Sequence, residues 1–595
     1  MSVSTSKTTN GIELRLSVYH NCDDVQLFWR AVVDGAEDAP VADCLGYMIE
    51  RRRLGSDGKW RPTEVLRNRV SFSSERSEGE GTPAYMTRPS NVWPFQRYDW
   101  TDHGANNGQT VKYRVSAVVL PDGGTVGESE LETVADSGWT KPITVSGETE
   151  GGVSAYFNRG FVMSQYVSRL ARQNGWDALE IKDHIKELEE PLRRFLAGEL
   201  RLALLRMLDE VIEDPSLEFY AALYELTDDE LVERLRLLRG RAHVVLANGS
   251  DKSGDGNASA RARLEEAKVD VRHRMLGSKG LGHNKFAVIV RRADEQALKI
   301  LTGSTNWAAT GLCTQVNNAI VFDDETVAGL FYEQWKRLAE AGNGFPAELV
   351  KGNAASPLMA DNTEVWFTRV RNPMPAGTEP GADLAALIDA VNNARRMILY
   401  VMFQPGPEPL SSIIERAKEE GMIVKGVVST VPQSIKEEQF KLTGTDKDVK
   451  VYRTAVVQPE GMGLSFSAWV EEVTRKEFLT TSTHKGVGHA ITHSKMIVID
   501  PLDDDCVVIT GSHNFSKAAS EKNDENFVIV RGNRALAEAY SIACLSTYGH
   551  YRWRAYVKDK TKANKPIWDH LSSDPEWQQE CLTPEVKQTL SAWCP

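Results

Sequence analysis

"HNKFAVIV" at residues 283–290 and "HSKMIVID" at residues 493–500 decide how this chain is read. Each sets a histidine and a lysine two residues apart at the head of an apolar run. Period-2 spacing puts His283 with Lys285, and His493 with Lys495, on one face of a strand. Alone, either stretch reads as a core strand with polar residues at its end. Together they lie 210 residues apart, and the sequence behind them repeats too: Gly303 and Gly511 are 208 apart, as are Asn318 and Asn526. A near-constant offset across three blocks marks an internal duplication.

On both sides of this pair, strands and helices alternate. In the first half "FYAALYEL", "AHVVLANG", "VDVRHRM" and "LKILTGSTNW" read as strands, with "DDELVERLRLL" and "ARARLEEAK" as helices between them. "LEIKDHIKELEEPLRRFLAGELRLALLRMLDEVIED" is helical, with Pro191 marking a break or a new first turn. "RRMILYVMFQ", "PLSSIIERAKEE", "MIVKGVVST" and "CVVITGSHNF" repeat the order in the second half. Alternation of this kind predicts mainly parallel sheets flanked by helices. It divides the α/β part into a half at 148–355 and a half at 356–595. The second half carries an insertion at 455–490 just before its motif. There Trp469, His484 and Lys485 are candidates for substrate contact, and Phe466, Trp469 and Phe478 for an aromatic rim.

Residues 1–147 have a different character. Short alternating runs such as "IELRLSVYH", "DVQLFWRAVV" and "VKYRVSAVVL" are separated by turn material, "DGAEDAP", "DHGANNGQ" and "PDGGTVGE". That pattern predicts an all-β sandwich. The whole is multidomain, as expected for 595 residues at roughly 150 per domain.

Composition narrows the partners. A net charge of −13 argues against a protein that coats polyanions, which neutralises phosphates with Lys and Arg, but leaves room for a locally basic site. Seven scattered cysteines with no CxxC predict reduced thiols rather than a disulfide framework or a metal site. The first twenty residues lack a basic and an apolar signal region, and no run approaches the ~20 apolar residues of a membrane span. The expected location is cytoplasmic, with leaderless export as the other route.

Each half supplies H-x-K on a strand and, about twenty residues later, G-S-x-N: Gly303-Ser304-Thr305-Asn306 and Gly511-Ser512-His513-Asn514. Two halves related by a pseudo-twofold axis would bring both sets to one interface. That set suits phosphoryl transfer through the protein. One imidazole attacks phosphorus and the facing one protonates the leaving oxygen. Lys285, Lys495, Asn306 and Asn514 hold the non-bridging oxygens. Water then attacks the phosphohistidine, and no metal or other cofactor is called for. Ser304 and Ser512 are expected as hydrogen-bonding partners at the substrate, and Trp307 and Phe515 as packing residues or stacking platforms. Lys517 and Lys522 are candidates to guide a phosphodiester chain.

"HSKMIVID", with "GSHNFSKAASEKNDENFVIV" behind it, resembles the phospholipase D superfamily and matches its H-x-K-x4-D motif through His493, Lys495 and Asp500. The "NDEN" region resembles its small bacterial endonuclease members, and "YDWTDHGANNGQTVKYRVSAV" is similar to the end of a fibronectin type III or immunoglobulin-like domain. The resemblance implies a metal-independent phosphodiesterase in which Asp500 is structural. A carboxylate at the position of Glu525 would orient a histidine and stabilise its imidazolium. The first copy departs twice: Val290 replaces the motif aspartate, and Asn317 stands where the second copy has Glu525. On this reading His283 lacks a carboxylate and His493 has Glu525, which favours His493 as nucleophile. Family precedent favours the first-half histidine, and precedent is followed here. The function expected is a nuclease acting on DNA or RNA. The alternatives are a phospholipase D acting on phospholipid head groups, or a degenerate scaffold, motivated by Val290 and Asn317. The β-sandwich is expected to bind a protein or polymer partner. One chain supplies both motif sets, so catalysis does not require a dimer.

Overall fold

The computed structural model describes residues 2–72, 87–160, 174, 183–250, 254–354, 357–375, 377–435, 441–446, 449–454, 456–457, 491–562 and 570–595. Nearly all of the 455–490 insertion, with Phe466, Trp469, Phe478, His484 and Lys485, lies outside the described residues.

From Val3 to Thr144 the described chain forms strands and turns. One sheet orders Val3–Thr9, Ile12–His20, Val25–Val33 and Ala36–Glu37, with Asp99–Asp102 also on Val25–Val33. The other orders Glu132–Asp136, Thr110–Val119, Cys44–Arg53 and Glu64–Val65, with Ile143–Thr144 also on Thr110–Val119. The alternation read from sequence works as a period-2 pattern should. Leu14, Leu16 and Val18 of one sheet join Val111, Tyr113 and Val115 of the other in one core, all fully buried.

Two larger sheets follow. The seven-stranded one runs Val153–Phe157, Asn318–Phe322, Gln296–Gly303, Lys285–Arg291, Leu217–Leu223, Ala242–Ala247, Asp270–Arg274. The eight-stranded one runs Leu358–Ala360, Thr363–Phe367, Asn526–Arg531, Val507–Gly511, Lys495–Ile499, Met397–Met402, Ile423–Val428, Val456–Val457. Only the last two pairings in each are parallel; the others are antiparallel. The expectation of mainly parallel sheets is therefore corrected to mixed sheets. The reason is loop length. Each motif strand turns back through a short connection, 292–295 or 500–506, whereas a parallel neighbour needs a crossover of a dozen residues or more. Parallel pairing appears where a helix intervenes, as with Asp229–Leu238, Ala258–Glu266 and Pro407–Arg416.

Helix Pro191–Glu213 starts at Pro191, where a missing N–H costs nothing because the first turn leaves it unbonded anyway. Helix Glu325–Ala341 packs on the first sheet, and the long helix Arg534–Lys562 touches strands of both. The chain end then returns to the sandwich. Trp593 is fully buried, stacked on Phe28 at 5.4 Å and edge-on to Tyr19 at 5.0 Å. Tyr19 Oη donates to the Trp593 carbonyl (2.8 Å), and the Gln578 side chain bonds both the N–H and the carbonyl of Val41 (2.9 Å each). Among the described residues no helix is long and apolar enough to cross a membrane.

Candidate active site

Both H-x-K segments lead into buried strands, with Lys285 opposite Leu223 and Lys495 opposite Met402 in the ladders. Both G-S-x-N turns cross a neighbouring strand closely. A Cβ on Gly303 would lie 2.3 Å from the Asn318 carbonyl oxygen, and one on Gly511 would lie 2.3 Å from that of Asn526. Only glycine permits that approach.

The two sheets meet through reciprocal contacts. Gln315–Val316 pairs in parallel with Ile491–Thr492, and Gly282 bridges in parallel to Asp524. Asn318 Nδ2 donates to Thr510 Oγ1 (2.6 Å), and Thr302 Oγ1 donates to Asn526 Oδ1 (2.6 Å). Asn526 Nδ2 also reaches Asn284 Oδ1 (2.8 Å), while Ser494 Oγ donates to the Val316 carbonyl (3.1 Å). Thr302 and Thr510, like Asn318 and Asn526, are 208 residues apart. The contacts therefore come in matched pairs.

This junction decides the histidine partners. His283 Nδ1 lies 3.2 Å from Glu525 Oε2, within ion-pair range though off the hydrogen-bond line. His493 Nδ1 lies 2.9 Å from Asn317 Oδ1. The assignment of Glu525 to His493 is thus corrected: the carboxylate of the second half faces the histidine of the first. The cause is the junction itself. Asp524 pairs with Gly282, so the next residue, Glu525, meets His283; Val316 pairs with Thr492, so Asn317 meets His493. Asn317 is fixed in turn, its Nδ2 donating to the Gly311 carbonyl (2.8 Å) and its backbone N–H to Asn158 Oδ1 (2.9 Å). Its Oδ1, which also accepts from Ser304 Oγ (2.8 Å), then faces a proton on His493 Nδ1 and leaves Nε2 open.

The lysines are held by the same device in both halves. Lys285 Nζ donates to the His283 carbonyl (2.8 Å) and Lys495 Nζ to that of His493 (2.6 Å). An aromatic ring lines each set. Tyr224 lies 4.7 Å from the His283 ring and 5.1 Å from Lys285 Nζ; Phe403 lies 4.7 Å from the His493 ring and 4.8 Å from Lys495 Nζ. Sequence reasoning missed both rings. They end the strands Leu217–Leu223 and Met397–Met402, but stand 59 and 90 residues before their histidines, so no constant offset reveals them. Their signal was an aromatic residue closing a strand on one side of each site.

Burial dominates the electrostatics. It pulls the His283 imidazole down to about 4, helped by Lys285 and opposed by Glu525. It lowers the Lys285 ammonium to about 7, against Glu525 and Glu225. His493 and Lys495 are likewise pushed well below their usual ranges by burial and then by neighbouring ammonium groups. Burial works against ionised Glu525, but His283 and Lys285 overrule it and hold the carboxyl down to about 2. The site is a cluster of cations too crowded to be fully charged without an anion.

The remaining expected residues fall into two groups. Asn306 donates to Glu225 Oε2 (2.6 Å), and the Oδ1 atoms of Asn306 and Asn514 are buried without a hydrogen-bond partner. Glu225, half-buried beside Lys285, is a third residue that sequence reasoning missed. Asp500 accepts from the backbone N–H groups of Arg395, Arg396 and Met397, each at 2.8 Å, and so ties the motif strand to its neighbour; Val290 is a core side chain. Trp307 is 1% exposed and Phe515 is fully covered, and each packs in an apolar core cluster. Ser304 and Ser512 are fully buried and bond Asn317, Asn318 and Asn526, so they fix the turns. Lys517 is committed to Glu521, while Lys522 is exposed.

Residues 387–542, about a quarter of the chain, match the family model described as cardiolipin synthase, PLD-like domain. The mitochondrial cardiolipin hydrolase of Homo sapiens is 29% identical over 107 residues, 17% of this chain and 39% of that protein. The chain thus spans about two fifths of the length of that relative. Among solved structures, polyphosphate kinase from Porphyromonas gingivalis aligns at 14% identity over 66% of this chain and 58% of its own, with a TM-score of 0.38. The phospholipase D family member Nuc from Salmonella typhimurium aligns at 17% identity over 24% of this chain and 91% of its own, with a TM-score of 0.20. His493, Lys495, Asp500 and Glu525 all lie within the residues that match the PLD-like domain model.

Proposed function

We propose that the chain is a phosphodiesterase whose two halves, 148–355 and 356–595, are related by a pseudo-twofold axis and share one active site. The observation that carries this reading is the exchange of partners, Glu525 to His283 and Asn317 to His493. His283 attacks phosphorus through Nε2, and Glu525 steadies the positive charge that its ring gains as the N–P bond forms. With the anionic diester bound, His493 takes up a proton on Nε2 to become the imidazolium; that proton goes to the departing oxygen, and the bare Nε2 then takes one from the water that cleaves the phosphohistidine. Lys285, Lys495, Asn306 and Asn514 bind the non-bridging oxygens, whose charge restores the ammonium form of the lysines. Asn317 has a place in this scheme as the partner of the acid, which removes one of the two motives for a degenerate scaffold.

The substrate favoured is nucleic acid, on the likeness of the "NDEN" region to endonucleases. A lipid reading is supported by the cardiolipin synthase description of the matching family model. Single- and double-stranded DNA, RNA and cardiolipin vesicles, each incubated with the protein in excess chelator, separate the two. Cleavage of nucleic acid alone is expected. Cleavage of cardiolipin alone replaces the substrate, and activity retained in full by His493→Asn overturns the site.

A further inference from the structure

The outer face of the sandwich sheet carries a strip of cations and indoles that the active site does not use. Alternation along Thr110–Val119 sends Lys112 and Arg114 outward, and Arg52 points the same way from Cys44–Arg53. Lys112 Nζ lies 4.4 Å from the centre of the Trp60 ring and 5.4 Å from that of Trp139. The guanidinium carbons of Arg52 and Arg114 lie 5.1 and 5.0 Å from the Trp139 ring. All five side chains are half-buried.

The charges on this strip are unbalanced. Lys112 stands directly opposite Arg52 across the strand pair, an arrangement that destabilises a sheet. Arg114 has Glu50 as an ion-pair partner (2.6 Å). Among the described residues no carboxylate lies within ion-pair distance of Arg52 or Lys112, and Arg52 reaches only Thr63 Oγ1 (2.7 Å). This positive strip sits on a chain whose net charge is −13.

We infer that this strip binds single-stranded nucleic acid, with Arg52 and Lys112 on phosphates and the indoles of Trp60 and Trp139 against bases. Cations interleaved with aromatic faces are what an unpaired strand requires, because every base offers a face to stack. A membrane surface would require a cluster of apolar tips, and among the described residues the strip offers Leu54 as its one exposed large aliphatic side chain, 37% exposed beside Trp60. The inference rests on the nucleic-acid reading of the active site and gives the sandwich the task of holding the strand.

Fluorescence anisotropy with labelled oligothymidylate tests it, using the full chain with His283→Asn so that the probe is not consumed. Adding Arg52→Glu and Lys112→Glu is expected to weaken binding at least tenfold. The slope of log affinity against log salt should fall by about 1.4, from two phosphates at roughly 0.7 each. Arg52→Gln with Lys112→Gln relieves the repulsion, so it should keep the thermal midpoint and still lose affinity, which excludes misfolding. With His283 intact, both pairs should hydrolyse bis(p-nitrophenyl) phosphate at the parent rate. Undiminished oligothymidylate binding in the glutamate pair overturns the inference. So does a parent that binds phosphatidylglycerol vesicles through these residues but not the oligonucleotide. Failure of the parent to hydrolyse the small diester strikes the active site instead, and is read separately from the anisotropy.

Discussion

Replacing Glu525 by glutamine removes the charge that faces His283 and keeps its shape. The carboxylate is fully buried and 3.2 Å from the ring, so a full charge on the imidazole would gain about 5 kcal/mol at an effective dielectric constant of 20. That is a ceiling. Bonds to charged groups are worth about 1.5–3 kcal/mol net, and the upper end suits a site this dry. About 3 kcal/mol corresponds to roughly a hundredfold in rate. The loss should fall on formation of the N–P bond, because that step creates the ring charge. Rapid-quench measurements with bis(p-nitrophenyl) phosphate report it as the burst of nitrophenolate. Glu525→Gln should slow the burst about a hundredfold and leave the affinity for inorganic phosphate within a few-fold. An unchanged burst with a slower second phase would mean that Glu525 serves the histidine handling the water, and the crossed pairing would be wrong.

Asp500→Ala should leave three backbone N–H groups unpaired at about 1 kcal/mol each, lowering stability by about 3 kcal/mol while activity per folded molecule survives; urea unfolding with a parallel assay checks this. Gly511→Ala places a Cβ against the Asn526 carbonyl, so soluble expression or turnover should collapse, whereas Gly329→Ala, with open space around it, should be neutral in the same screen. The pH dependence has a defined sign. His283 drops from 6.5 to about 4 on folding, so the unfolded chain holds the extra proton and stability falls as pH is lowered through that window. Lys285 drops from 10.5 to about 7, so stability rises with pH between about 7 and 10.5, while kcat/KM, which requires the ammonium, should decline above about 7. Chemical denaturation and a kcat/KM profile test the two limbs together, and a profile that climbs steadily to pH 9 would contradict the role of Lys285. Trp593→Ala should cost about 3–5 kcal/mol locally and expose the chain end to limited proteolysis.

Much of this protein is written in short-range pattern. Alternation along "VKYRVSAVVL" and "IELRLSVYH" is enough for paired sheets, because side chains in a strand point to opposite faces regardless of distant sequence. The likeness of "HNKFAVIV" to "HSKMIVID", and of the two G-S-x-N turns, likewise sufficed to locate the buried strands and the glycines that cross them. What pattern did not carry was direction and partnership. Strand direction depends on whether the connecting residues can span a crossover, and the short turns at 292–295 and 500–506 cannot. Tyr224 and Phe403 were hidden because the two halves differ in length on the way to their histidines. The carboxylate at 525 was legible as a second-half residue, and sequence proximity assigned it to the second-half histidine. Only the junction, where Asp524 pairs with Gly282 and Val316 with Thr492, carries it across to His283. Those contacts join residues more than 170 positions apart, so no local periodicity encodes them; they form only once the folded chain brings the two segments together, where buried N–H and carbonyl groups must find partners.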